Sequence, residues 1–237
     1  MSGHSHFAGI KHRKGLNDAK RAKIFTRLAK PITIAAAEGG GNPDMNFKLR
    51  MAIDKAREFN MPKDNIERAI KRGTGELKGE AYVEAIYEAM GPGNIMMLIK
   101  ATTDNRNRTV SEIKTILTKN GGKFAEAGSS MWNFEQMGAI YVDAQGKDID
   151  ELEMAAIEAG ARDTKLEETN LIIFTDPKEL QSAQENLVKN DIKITDSGLT
   201  YLPKTIATID ANARLDYEKL LEALDEQDDV EEIFDNL

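Results

Sequence analysis

AIYV (139–142), IDELEMAAIE (149–158), TKLEETNLIIFT (164–175), PKELQSAQENLVK (177–189) and KITDSGLTYL (193–202) follow one another through the stretch that decides the fold. The second and fourth segments carry apolar residues at helical spacing. The others have the short apolar pattern of strands, and the third holds two strands joined by a turn at Thr169 and Asn170. The order is β-α-β-β-α-β, which predicts a ferredoxin-like domain at residues 136–203.

Shorter patterns of strands and helices flank this domain on both sides. Before it, we expect strands at 81–90 and 95–101 and a helix at 109–119; after it, a helix at 215–224 and a strand at 230–234. Neither group can complete a sheet alone. We therefore infer that residues 80–135 pair with residues 204–237 in one split α/β domain, into which the ferredoxin-like domain is inserted.

The first 79 residues show only helical periodicity after an N-terminal arm. The pattern predicts a first helix from Asn17 or Asp18 to Glu38, interrupted by Pro31, and a second from Asn42. A third should begin near Pro62 and end at Gly73 as a C′ glycine. The predicted fold class is α+β, with a basic helical domain (1–79) and two α/β domains, one inserted into the other.

Charge is distributed unevenly along the chain. The net charge is −8, yet residues 1–73 contain 16 Lys and Arg against 7 Asp and Glu, and the remainder contains 16 against 33. A basic head on an acidic body is typical of a protein whose head binds a polyanion. The alternative is that head and body neutralise each other across an internal interface.

The basic residues are concentrated in the arm and the first helix. Phosphates repeat along a nucleic-acid strand, so a row of cations can neutralise several of them and release counterions. Lys20, Lys23, Arg27 and Lys30 share one helix face, which we expect to point outward. The candidate nucleic-acid-binding residues here are Lys11, His12, Arg13, Lys14, Lys20, Arg21, Lys23, Arg27 and Lys30.

A second candidate site is the segment DNRNRT at residues 104–109, which links a predicted strand to a predicted helix. It would place Arg106 and Arg108 beside a helix N-terminus, where guanidinium groups and free N–H groups suit phosphate. Pairing of these arginines with the acidic body is an equally good interpretation.

Several classes of site and location are not favoured by the sequence. Without cysteine there is no disulfide, zinc thiolate or cysteine nucleophile, and all three histidines lie in the first twelve residues. No G-x-S-x-G or phosphate-loop pattern occurs. We expect no enzyme activity, no metal, no cofactor, no signal peptide and no membrane partner, and we expect a cytoplasmic location. For Trp132, core packing is the default interpretation, and base stacking comes second.

Short motifs are spread along the chain: Gly3-His4-Ser5, Ile10 to Lys14, Asp18 to Arg21, Lys23 to Thr26, Gly39 to Gly41, Asn60-Met61-Pro62, Tyr87-Glu88, Gly91-Pro92-Gly93 and Asp104 to Thr109. Together these motifs resemble the YebC/PmpR family of regulatory proteins, and the resemblance covers essentially the whole chain. It implies three domains and a cytoplasmic DNA-binding transcriptional regulator, with relatives that act in translation, including the mitochondrial translational activator of cytochrome oxidase subunit I.

Two functions fit these features. One is a DNA-binding transcriptional regulator that uses the basic domain. The other is a ribosome-associated translation factor acting on stalled or proline-rich synthesis. Both partners are phosphate polymers, and the cations do not distinguish them.

Overall fold

The structure, a computed structural model, describes residues 18–79 and 81–237, with side chains from residue 21 onward. It divides into two compact units. The first consists of the residues up to Phe134 together with Pro203–Leu237, and the second consists of Glu135–Leu202. No helix in the described ranges is long and apolar enough to cross a membrane.

Three helices form the N-terminal part of the first unit. They share an apolar core that includes Ile32, Leu49 and Ala56, none of which is exposed. The first helix continues through Pro31 without a break. The helices are α1 (Asp18–Gly39), α2 (Phe47–Glu58) and α3 (Lys63–Gly73).

The start of α2 differs from the expected start at Asn42. The helix begins at Phe47 because Asn46 is the residue that caps it, accepting a hydrogen bond from the Leu49 N–H at 3.0 Å. The Asn46 amide also donates to the carbonyls of Ala35 (2.7 Å) and Gly40 (2.9 Å). One buried side chain therefore fastens the end of α1 to the start of α2.

Gly73 has a different role from the predicted C′ glycine. It is the last residue of α3, and Thr74 follows as the cap. A Cβ atom at Gly73 would lie 2.3 Å from the Thr33 carbonyl oxygen and 2.7 Å from the Ala36 Cβ. The glycine is needed because α3 packs directly on the backbone of α1.

The split α/β part completes the first unit, and it has the predicted connectivity. Its sheet has the order β3-β1-β2-β8, so the final strand of the chain lies beside β2. The residues in register include Leu98 with Phe234 and Ile99 with Ile233, both antiparallel. The strands are β1 (Val83–Met90), β2 (Met96–Thr103), the two-residue β3 (Lys123–Phe124) and β8 (Val230–Asp235).

Two helices pack against this sheet and share its core. They are α4 (Arg106–Lys119) and α7 (Ala211–Asp225), and each starts earlier than expected because Asn105 and Asp210 cap them. Leu117 and Leu220 are fully buried with Met97 and Ile99 from β2.

The second unit has the predicted ferredoxin-like arrangement. Its sheet has the order β5-β6-β4-β7, in which β4 and β5 both pair antiparallel with β6. Its elements are β4 (Phe134–Asp143), α5 (Ile149–Glu158), β5 (Asp163–Glu167), β6 (Asn170–Thr175), α6 (Leu180–Lys189) and β7 (Ile194–Pro203). The predicted fold class is confirmed: a helical domain and two α/β domains, one inserted in the other.

Candidate nucleic-acid interface

The cations on one face of α1 lie against the acidic turn that joins α7 to β8. Arg27 donates to the Asp225 carbonyl (3.2 Å) and carboxylate (3.3 Å), and to the Val230 carbonyl. Lys23 lies 3.2 Å from the Asp228 carboxylate and also donates to the Glu226 carbonyl. These contacts join residues about two hundred positions apart in sequence.

Lys30 occupies the centre of this interface. Its ammonium donates to the Thr102 carbonyl (3.0 Å), the Asp228 carbonyl (3.0 Å) and the Asp229 carboxylate (2.7 Å). An ammonium has three donors, so all of them are used. Only 6% of either side chain in the Lys30–Asp229 pair is exposed.

Asp229 collects contacts from three parts of the unit. One carboxylate oxygen accepts from Lys30, and the other accepts from the Thr109 hydroxyl at 2.7 Å and from Arg108 at 3.4 Å. Its carbonyl accepts from the Thr102 N–H at 2.8 Å. Burial alone would raise the pKa of Asp229, but the hydrogen bonds from Lys30 and Thr109 outweigh it and lower that pKa.

Two ion pairs extend the same contact along α2. Lys55 lies 3.4 Å from Glu232 on β8, and Lys48 lies 3.4 Å from Glu84 on β1. Burial would raise the pKa of Glu232, but the charges of Lys100 and Lys55 lower it. The helical domain therefore meets the sheet through an array of opposite charges.

The expectation that the α1 row points outward is wrong for Arg27 and Lys30, which are buried. Lys23 is half-buried and paired. For these three residues the structure shows the alternative interpretation, neutralisation across an internal interface. Helical spacing could not reveal this, because the partner carboxylates are supplied by the far end of the chain.

The DNRNRT segment is mainly a structural connection. Asn105 caps α4 by accepting from the Arg108 N–H at 3.1 Å. Arg108 bridges Asp104 (2.6 Å) and Asp229 (3.4 Å), and Thr109 is fully buried. Of its two arginines, Arg106 is the one that is exposed and makes no side-chain hydrogen bond or ion pair with the part of the chain that the structure describes.

Other cations of the helical domain remain exposed. Arg21 is exposed at the start of α1, and Lys11, His12, Arg13, Lys14 and the Lys20 side chain lie outside the described residues. The sequence interpretation missed Arg68, Lys71 and Lys78, which are exposed and make no ion pair within the described ranges. The sequence does indicate the exposure of two of them. Arg68 and Lys71 are three residues apart and therefore share a face of α3, whereas Ile66 and Ala69 point into the core.

Two other predictions concern metals and Trp132. Among the described residues, no group of His, Asp and Glu side chains has the arrangement of a metal site. The prediction that Trp132 packs in the core is wrong, because the residue is 58% exposed. The nearby Phe134 is buried.

Known proteins are similar to this chain in sequence and in architecture. The TACO1/YebC protein N-terminal domain matches residues 5–76, and the TACO1/YebC second and third domain matches residues 82–237. A helical domain followed by a split α/β domain with an inserted one is thus the architecture of a multidomain regulatory family. The chain belongs to the TACO1/YebC family, which confirms the resemblance seen in the sequence.

Similar proteins support the same family along the full length. A "Probable transcriptional regulatory protein" of Fervidobacterium nodosum is 50% identical over 237 residues, covering 100% of this chain and 93% of the relative. One of the same description from Halothermothrix orenii is 45% identical, covering 100% and 94%. The crystal structure of a conserved hypothetical protein from Aquifex aeolicus has a TM-score of 0.88 and 44% identity, covering 98% of this chain and 96% of that one.

We expect Lys30→Ala to lower the free energy of unfolding by about 3–5 kcal/mol, because it leaves the Asp229 carboxylate buried without its main partner. Urea denaturation would measure the change. Lys63→Ala is the matched control, since Lys63 forms a solvent-exposed pair with Glu67 and its loss should cost under about 1 kcal/mol. Equal effects of the two substitutions would contradict the structural role assigned to Lys30.

Asp229→Asn should destabilise the protein at neutral pH, and its deficit should shrink in acid. The usual aspartate pKa is 3.8, and the folded value is lower. The carboxylate's contribution is therefore complete above the unfolded pKa and lost as pH falls through the folded pKa. Urea denaturation of both proteins at about pH 7 and about pH 3.5 would test this.

The control for that experiment is Asp216→Asn, which removes an exposed carboxylate paired with Lys219. It should change the free energy of unfolding little at either pH. A deficit of Asp229→Asn that grows in acid would contradict the prediction.

Proposed function

We propose that this protein is a nucleic-acid-binding regulator of gene expression, and specifically a DNA-binding transcriptional regulator acting in the cytoplasm. The proposal rests on the cations of the helical domain that make no ion pair in the internal interface. Arg68, Lys71 and Lys78 are exposed and unpaired within the described ranges, in a domain whose acidic groups are few. The names of the relatives support transcription as the process.

The proposed contact surface differs from the one expected from helical spacing. Among the described residues it is proposed to include Arg21, Arg68, Lys71, Lys78 and Arg106, all of which are exposed. The arm cations Lys11, His12, Arg13 and Lys14, together with Lys20, are proposed to add to it. Lys23, Arg27, Lys30 and Arg108 are left out, because carboxylates of the chain itself already neutralise them.

Charge also explains why the helical domain would supply most of the binding surface. Residues after 73 carry 33 acidic against 16 basic side chains, so most of the α/β surface repels a polyanion. A phosphate backbone is attracted where the cations lack acidic neighbours. Contacts of this kind set affinity and salt dependence, and they carry no base sequence information.

Replacing Arg68, Lys71 and Lys78 together by alanine should weaken binding to duplex DNA and make its salt dependence shallower. Each lost phosphate contact reduces the slope of log K against log salt by about 0.9, because fewer counterions are released. Fluorescence anisotropy of a labelled duplex over a salt series measures both quantities. A slope equal to that of the unmodified protein would argue against this surface.

Two variants make that experiment specific. Lys219→Ala removes an exposed cation that is paired with Asp216 on α7, and it should leave the slope unchanged. Arg27→Ala removes one positive charge from the same helical domain as Arg68 and Lys71, but from the buried interface. It should lower stability and leave the slope of the folded protein unchanged, which separates a structural cation from a binding one.

A further inference from the structure

Trp132 is the only tryptophan of the chain, and its side chain is 58% exposed. A buried tryptophan contributes strongly to stability because it removes a large apolar area from water. A single exposed apolar side chain is common and needs no explanation by itself. What distinguishes Trp132 is the number of buried polar contacts that fix the loop around it.

A buried carboxylate holds the loop from its inner side. Glu88 on β1 accepts hydrogen bonds from the backbone N–H groups of Gly128 (2.6 Å), Ser130 (2.5 Å) and Met131 (2.8 Å). Burial would raise the pKa of Glu88, but these three bonds lower it. The segment next to Trp132 is thus anchored to the sheet by charge-assisted hydrogen bonds.

A second set of hydrogen bonds fixes the segment that follows Trp132 in the chain. Asn133 is fully buried and exchanges two hydrogen bonds with the Thr205 backbone, both 3.0 Å long. The Lys204 N–H donates to the Asn133 carbonyl at 2.7 Å. Hydrogen bonds therefore fix the backbone both before and after Trp132, the residue that bears the exposed indole.

The indole's own polar atom is also satisfied. Its Nε1–H donates to the Ser129 carbonyl at 2.9 Å. The exposed part of the side chain is consequently its aromatic carbon surface. A ring held in place before any ligand arrives loses little conformational entropy on binding.

A cation lies next to the backbone carbonyl of Trp132. The Lys204 ammonium donates to the Trp132 carbonyl at 3.0 Å, and the residue is exposed. An ammonium has three donors, and this is the one bond that Lys204 makes through it within the described ranges. Two donors are left for an anion bound near the backbone of Trp132.

We propose that Trp132 is a stacking platform for an unpaired nucleobase, with Lys204 contacting the neighbouring phosphate. A nucleotide combines a flat π surface with a negative charge, and this pair of side chains offers the complement of both. The base must be unpaired, because in a duplex both of its faces are covered by its neighbours in the stack. The proposal rests on the proposed nucleic-acid-binding function and adds the form of nucleic acid recognised at this loop.

The fluorescence of Trp132 tests the proposal directly in the unmodified protein, since no other tryptophan contributes. A single-stranded oligonucleotide should quench the emission in a saturable manner, and a blunt duplex of the same sequence should bind without quenching it. Trp132→Ala should weaken single-strand binding about 5- to 150-fold and leave its salt slope unchanged, as expected for loss of stacking on one base. Trp132→Phe should retain most of the affinity because its ring still stacks.

Two further variants complete the test. Leu215→Ala is the matched control, because Leu215 is 57% exposed on α7 and its removal should not alter binding. Lys204→Ala should reduce the single-strand salt slope by about 0.7, the value for one lost phosphate contact.

The outcomes separate this inference from the function on which it rests. If labelled single strands bind by anisotropy while the tryptophan emission stays constant and Trp132→Ala binds normally, the stacking site is refuted and the proposed function stands. If neither single-stranded nor duplex nucleic acid binds, both are refuted.

Discussion

The Lys30–Asp229 ion pair is the contact on which the first unit depends. Removing two charges from water is costly, and the attraction between them offsets that cost only if the remaining donors and acceptors are also satisfied. Here all three ammonium donors are used, and both carboxylate oxygens accept hydrogen bonds. The pair joins α1, the end of β2, the start of α4 and the turn before β8. Its low exposure also shields it from salt, which screens exposed charges far more strongly.

The same interface divides the cations of the helical domain by role. Those on α1 and α2 that meet the sheet, such as Arg27 and Lys55, hold the domain in place. Those that remain in water, such as Arg68 and Lys71, make no ion pair within the described ranges. The net charge counted from the sequence does not distinguish the cations buried in the interface from those exposed to water. The domain is therefore less basic toward a partner than its composition indicates, and its available charge lies on different residues.

Much of the fold could be predicted from the sequence, because strand alternation and helical spacing are local patterns. The β-α-β-β-α-β order and the pairing of the final strand with the earlier hairpin were read correctly. The helix starts are predicted less well: Asn46 rather than Asn42 caps α2, and Asn105 caps α4, which begins before the predicted residue 109. The sequence predicts Gly73 as a C′ glycine, whereas in the structure it is the last residue of α3 and allows close packing on α1. The candidate site was harder to predict, because burial of Arg27 depends on carboxylates 198 residues away.

The distance between these partners has a consequence for how the chain is made. Lys30 emerges during synthesis long before Asp229, its partner 199 residues later. Until the last dozen residues are available, α1 carries a full row of uncompensated positive charge, and the sheet lacks its edge strand β8. The helices can form early from local contacts, whereas docking on the sheet must wait for contacts of very high sequence separation. The nascent polypeptide is therefore more cationic at its surface than the finished molecule.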